Sequence, residues 1–267
     1  DALSNIKQEV AVEYHKIYGQ AVLNLLGKAE NPCRLIHEPG DEEALLPLHY
    51  STNNGCTLHY FYANKLLLCY LFENYPEALK SAALAEKYLE AAPGLVVVAV
   101  FHFYDSLARL AVYPDSPDSE QKAILDKVIA NQEKMQKWAD CAPMNYLHKF
   151  YLIEAEKARI LGQIVEAMEL YERAIKAARN NRYIQDEALA YELGAKFYLA
   201  RGMEEIAQTY MAKAHYCYST WEATAKVNDI EAKYPQLLNS SATRPADKPP
   251  TIGNFITTSG SVEALDL

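Results

Sequence analysis

The stretch "LGQIVEAMELYERAIKAA" (Leu161 to Ala178) and the later "RGMEEIAQTYMAKAHYCY" (Arg201 to Tyr218) share one skeleton: a Gly, an Ala five residues on, and an Ala seven beyond that. Gly162, Ala167 and Ala174 occupy it in the first stretch, and Gly202, Ala207 and Ala214 in the second; the same shift of forty residues places Ala155 on Ala195. In a helix-turn-helix repeat each position has a steric reason. Small residues let two antiparallel helices approach closely, and Gly accepts the backbone conformation of the turn after the first helix. "ENYPEALKSAALAEKYL" (Glu73 to Leu89) repeats the Ala78 to Ala85 spacing after a comparable turn. The pattern predicts an all-α fold, a tetratricopeptide-like α-solenoid of antiparallel helix pairs, with a bundle lacking repeats as the competing reading. A unit of forty exceeds the tetratricopeptide length of about 34. The extra length is expected in a longer turn at "ARNNRYIQDE" (Ala178 to Glu187).

Helical periodicity runs through most of the chain, and alternating strand patterns are nearly absent. Helices are expected over Leu3 to Ala29, Thr57 to Phe72, Pro76 to Ala91, Leu95 to Ala111, Ser119 to Ala139, Met144 to Leu161, Ile164 to Arg179, Ile184 to Arg201 and Glu204 to Asp229. The breaks have local causes: "YPDSPDSE" (Tyr113 to Glu120) joins two prolines to capping Asp and Ser, and Pro143 stops a helix in "CAPMN". Residues 1–238 therefore read as one helical repeat domain with an irregular insert at about 31–56. Residues 239–267, rich in Ser, Thr, Pro and Gly, read as a flexible linker toward a downstream domain.

Composition narrows the function. The 267 residues are 50% hydrophobic and 23% charged, enough for a buried core, and the net charge of −9 carries no electrostatic footprint for nucleic acid or anionic lipid. Five scattered cysteines without a C-x-x-C pair suit a reducing cytoplasm. No basic-then-apolar signal region opens the chain. The longest apolar stretch, "GLVVVAVFHFY" (Gly94 to Tyr104), is too short to span a bilayer and carries His102, so it is expected to be a core helix.

Chemistry is sparse. Cys33, His37, Cys56 and His59 flank the irregular insert with zinc-ligand residue types, yet their spacing follows no standard finger and buried thiols are the commoner use, so no metal is expected. Pro39 and Gly40 directly after His37-Glu38 prevent a phosphoacceptor helix there. His102 and His148 read as packing residues, and the 20 tyrosines as fillers of wide interhelical spaces with wet hydroxyls. Phosphate-loop, dinucleotide and nucleophile-elbow motifs are absent. No catalytic residue and no cofactor are predicted.

Several strings together resemble the helical region of large bacterial multi-sensor signal-transduction kinases. They include "KLLLCYLFENYPEAL" (Lys65 to Leu79), "FYDSLARLA" (Phe103 to Ala111), "NQEKMQKWADCAPMNYLHKFYLIEAEKARILG" (Asn131 to Gly162), "ALAYELGAKFYLARG" (Ala188 to Gly202) and "YSTWEATAKVNDIEAKYPQLL" (Tyr218 to Leu238). The resemblance covers Asn5 to Leu238. It implies a segment lying between an upstream Ser/Thr kinase with an ATPase-like module and a downstream GAF sensor with a histidine kinase. Glu222 departs from the family, which has Gly after the Trp.

Counting from Ala155 and Ala195 places Lys149, Leu152, Glu156, Arg159, Glu192, Lys196 and Leu199 on the concave face of the repeats. Mixed charge with some apolar area suits a protein or peptide partner, such as neighbouring domains of the same polypeptide. The expected role is a non-catalytic, cytoplasmic scaffold that binds neither nucleic acid nor membrane. A free-standing adaptor or transcriptional regulator that binds a peptide or small effector is the alternative.

Overall fold

A computed structural model describes residues 2–35, 42–52 and 54–238, so the linker expected at 239–267 lies outside the described residues. All regular structure among the described residues is helical. The helices are α1 (Ala2–Leu25), α2 (Glu42–Ser51), α3 (Gly55–Leu71), α4 (Tyr75–Lys87), α5 (Val96–Val112), α6 (Asp118–Cys141), α7 (Pro143–Ile160), α8 (Ile164–Asn180), α9 (Ile184–Leu199), α10 (Glu204–Thr220), α11 (Thr224–Lys233) and the short α12 (Pro235–Leu238).

Helices adjacent in sequence pack most extensively, α3 on α4, α7 on α8 and α9 on α10. The small residues of the repeated skeleton lie in these seams. Ala155, Ala167, Ala174, Ala195, Ala207 and Ala214 are all at most 1% exposed. A single apolar cluster runs from Ala21 to Leu237, so both ends of the described fold share one core.

One turn recurs. Gly162, Arg182, Gly202 and Glu222 have φ of 73°, 62°, 71° and 62°, each twenty residues from the next, and Glu73 repeats the conformation at 64°. After each, the next amide reaches back five residues to a helical carbonyl: Asn74 to Cys69, Gln163 to Ala158, Tyr183 to Ala178, Met203 to Tyr198 and Ala223 to Tyr218, at 2.8–3.0 Å. This closure satisfies carbonyls that the helix end would leave unpaired.

Three expectations are corrected here. No long turn occupies 178–187; α8 runs to Asn180 and α9 starts at Ile184, so the length beyond a tetratricopeptide unit sits in the helices. The helix expected over Glu204 to Asp229 breaks after Thr220, because Glu222 adopts the left-handed conformation normally signalled by Gly. The insert at 31–56 contains α2, with Pro47 inside it. In addition, the apolar stretch at Gly94 continues as helical structure over Val96–Asp115, 20 residues that are long and apolar enough to cross a membrane by composition. Of its most apolar window 61% is buried inside the protein, and Phe101, Phe103, Leu107 and Leu110 are core residues.

Candidate functional site

Among the described residues, α11 returns to the first helices, packing on α1 and reaching the end of α3. Lys226, fully buried on α11, donates from Nζ to the carbonyl of Leu71 at 2.5 Å, to Glu192 Oε1 at 3.0 Å and to Asp229 Oδ2 at 3.0 Å. Lys196 on α9 pairs with Glu192 at 2.7 Å and also with Glu73, in the turn between α3 and α4. Lys233 bridges Glu73 at 3.0 Å and Asp229 at 2.9 Å. Glu73, Lys196, Glu192, Lys226, Asp229 and Lys233 thus form a closed circuit of alternating charge, three acids and three bases, drawn from α9, α11 and the turn after α3.

Burial alone would raise the Glu192 carboxyl, but Lys196 and Lys226 beside it and the hydroxyl of Tyr218, donating at 2.7 Å, hold it at about 2. For Glu73, burial is likewise outweighed by Lys196 and Lys233, which lower it. Burial also disfavours the Lys196 ammonium, yet Glu192 and Glu73 raise it well above the ordinary lysine value.

Beside this circuit lies a cavity of about 350 Å³ between α3, α4, α5, α7 and α9. Tyr70, Tyr75 and Phe197 supply aromatic walls, and Arg159, Lys196 and Arg201 line it with cations. Glu156 also lines it, already engaged by Arg159 Nε and Nη2 at 2.9 and 2.8 Å and by the hydroxyl of Tyr171.

The seven residues expected on one concave face are therefore divided. Glu156, Arg159 and Lys196 meet at the cavity, and Glu192 sits behind Lys196. Lys149, Leu152, Glu156 and Glu192 are buried, while Arg159, Lys196 and Leu199 are half-buried. Lys149 is taken up elsewhere, by an ion pair with Asp186 and by the ring of Phe103 4.9 Å away. Burial would raise Asp186, but Lys149 and a hydrogen bond with His148 Nε2 at 2.8 Å lower it to about 2. Sequence reasoning missed Glu73, Lys226, Lys233 and Arg201. The first three have partners far away in the chain, and Arg201 reads simply as the end of a helix.

Of the zinc-type residues, His37 lies outside the described residues. Cys33 is buried against Cys69, whose thiol reaches the Cys33 carbonyl at 3.9 Å, and His59 Nδ1 bonds the Ala85 carbonyl at 2.9 Å. Among the described residues no three His, Cys, Asp or Glu side chains are grouped to hold a metal. His102 is part of a buried polar cluster, with Nδ1 2.8 Å from Asn131 Oδ1, and Asn131 Nδ2 donates to Asp105 at 2.8 Å.

Comparison with known proteins adds one link. Over 62 residues the chain is 39% identical to "Hybrid signal transduction histidine kinase G" of Dictyostelium discoideum, a match covering 23% of this chain and 2% of that protein. The similarity ties the segment to signal-transduction kinases. No protein-family model and no solved structure matches the chain.

Proposed function

We propose that this segment is a non-catalytic scaffold of a signal-transduction kinase. It couples upstream Ser/Thr kinase and ATPase-like modules to a downstream GAF sensor and histidine kinase in the cytoplasm. The observation that carries the reading is the 62-residue similarity to a hybrid histidine kinase. The recurring left-handed turns at twenty-residue intervals support a tetratricopeptide-like α-solenoid of helix pairs as the scaffold's architecture. Its partners on this reading are neighbouring domains of the same polypeptide.

The charge circuit gives such a scaffold a physical means of coupling. Because Glu73 is pinned to Lys196 and Lys233, displacement of the first helices is felt directly at α9 and α11 instead of being dissipated along intervening repeats. Sequencing the reading frame on both sides tests the proposal. Kinase and ATP-binding motifs upstream, with GAF and histidine-kinase patterns downstream, are the expected result. A frame closing just outside Asp1 and Leu267 would overturn it and leave a free-standing adaptor.

A further inference from the structure

The chain carries a net charge of −9, yet the cavity between α3, α4, α5, α7 and α9 has a cationic lining: Arg159, Lys196 and Arg201 against the single carboxylate of Glu156. Glu73 and Glu192 stand behind Lys196 and Glu156 engages Arg159, so these two cations are each paired. Arg201 differs. No carboxylate within salt-bridge distance accompanies it among the described residues, and its Nε is buried without a hydrogen-bond partner. That atom is closed to solvent, so it is the charge of the cavity-lining guanidinium, uncompensated by a carboxylate, that points to a group the protein alone does not supply.

Position and shape fit that group. The Arg201 guanidinium lies 4.9 Å from the centre of the Phe197 ring, which steadies its plane without using its hydrogen-bonding edge. Tyr70 and Tyr75, with ring centres 6.0 Å apart, supply further aromatic wall. A volume of about 350 Å³ lies at the small end of ligand pockets. Ala200 is exposed and Arg159 and Lys196 are half-buried, so the cavity opens to solvent.

We propose that this cavity is a binding site for a small organic anion, a carboxylate or phosphate carried on a planar apolar group. Arg201 recognises the anion, Arg159 and Lys196 add positive potential, and the aromatic walls take the planar part. The site stands independently of the signalling role, since it rests on the isolated segment alone.

Phenyl phosphate and benzoate are the probes, with benzyl alcohol as the neutral control, titrated into the full chain by calorimetry and by thermal melting. Saturable one-to-one binding of at least one anion, a raised melting temperature and no response to benzyl alcohol are expected. Which anion binds more tightly distinguishes phosphate from carboxylate chemistry. Arg201→Met, at a half-buried position, should keep its helical circular dichroism and weaken binding at least tenfold, while Arg201→Lys should retain part of the affinity. Absence of saturable binding by either anion, unchanged affinity in Arg201→Met, or equal binding of benzyl alcohol would overturn the assignment.

Discussion

Lys226 and Glu192 form a buried ion pair, Nζ to Oε1 3.0 Å, in which the lysine is 0% exposed and the carboxylate 2%. The same ammonium also bonds the carbonyl of Leu71, 155 residues earlier in the chain. Taking both charges out of water is costly, so the pair holds only because every partner is present. Glu192→Gln leaves Lys226 with Asp229 and one carbonyl, and is expected to destabilise the fold by roughly 3–5 kcal/mol. Urea unfolding of the variant checks this. Lys226→Met, which fills similar volume while Lys196 still neutralises Glu192, should cost less.

Acid should unfold the protein in two stages. Burial lowers His102 from 6.5 to about 4, and the neighbouring lysines, against the effect of burial, lower Glu192 from 4.5 to about 2. Both native values lie below the unfolded ones, so the unfolded chain takes up protons first as pH falls and stability declines with it. The His102 contribution is fully present above pH 6.5 and is lost toward pH 4; that of Glu192, roughly 3 kcal/mol, is lost between about pH 4.5 and 2. Unfolding free energy measured at successive pH values should show both declines, and Glu192→Gln should make the lower one shallower, leaving the share that Asp186 and Glu73 contribute.

Glu222 holds a left-handed backbone with φ of 62°, and its side chain is exposed. A residue with a Cβ pays about 1–2 kcal/mol for that conformation. Glu222→Gly should therefore raise stability by about 0.5–1 kcal/mol, after the greater freedom of Gly in the unfolded chain offsets part of the gain. Thermal melting of the variant measures it. The same change at Glu73 should destabilise, because that side chain pairs with Lys196 and Lys233.

Gly194 lies in α9 where α10 crosses closely, and a Cβ there would stand 2.8 Å from the ring of Tyr210. That ring is confined by edge contacts with Tyr191 and Tyr198 at 5.4 and 5.0 Å and by a hydrogen bond to Glu172. Gly194→Ala should destabilise by about 1–2 kcal/mol even though Ala is the better helix former, since overpacking outweighs propensity. Chemical denaturation reads the sign directly.

Much of this fold was legible because Gly and Ala recur where helices touch. Gly162 and Gly202 mark two of the left-handed turns. Arg182 and Glu222 occupy the same position without a glycine's signature, so the sequence predicts a long turn at the first and an unbroken helix through the second. The Gly expected by family resemblance after Trp221 was the available signal. Counting from Ala155 and Ala195 groups Glu156, Arg159 and Lys196 on one face, and all three line the cavity. Their burial was not legible, since it depends on contacts such as Lys196 with Glu73 and Lys226 with Leu71, which no local periodicity encodes.

The central claim is that the first helices and the last are one mechanical unit, joined through Glu73. Hydrogen exchange on the Glu73→Lys variant tests it most directly, because the substitution sets a third cation against Lys196 and Lys233. The account predicts that amides of α3 and α11 lose protection together and by the same free energy. Loss of protection in one helix with the other unchanged would contradict it.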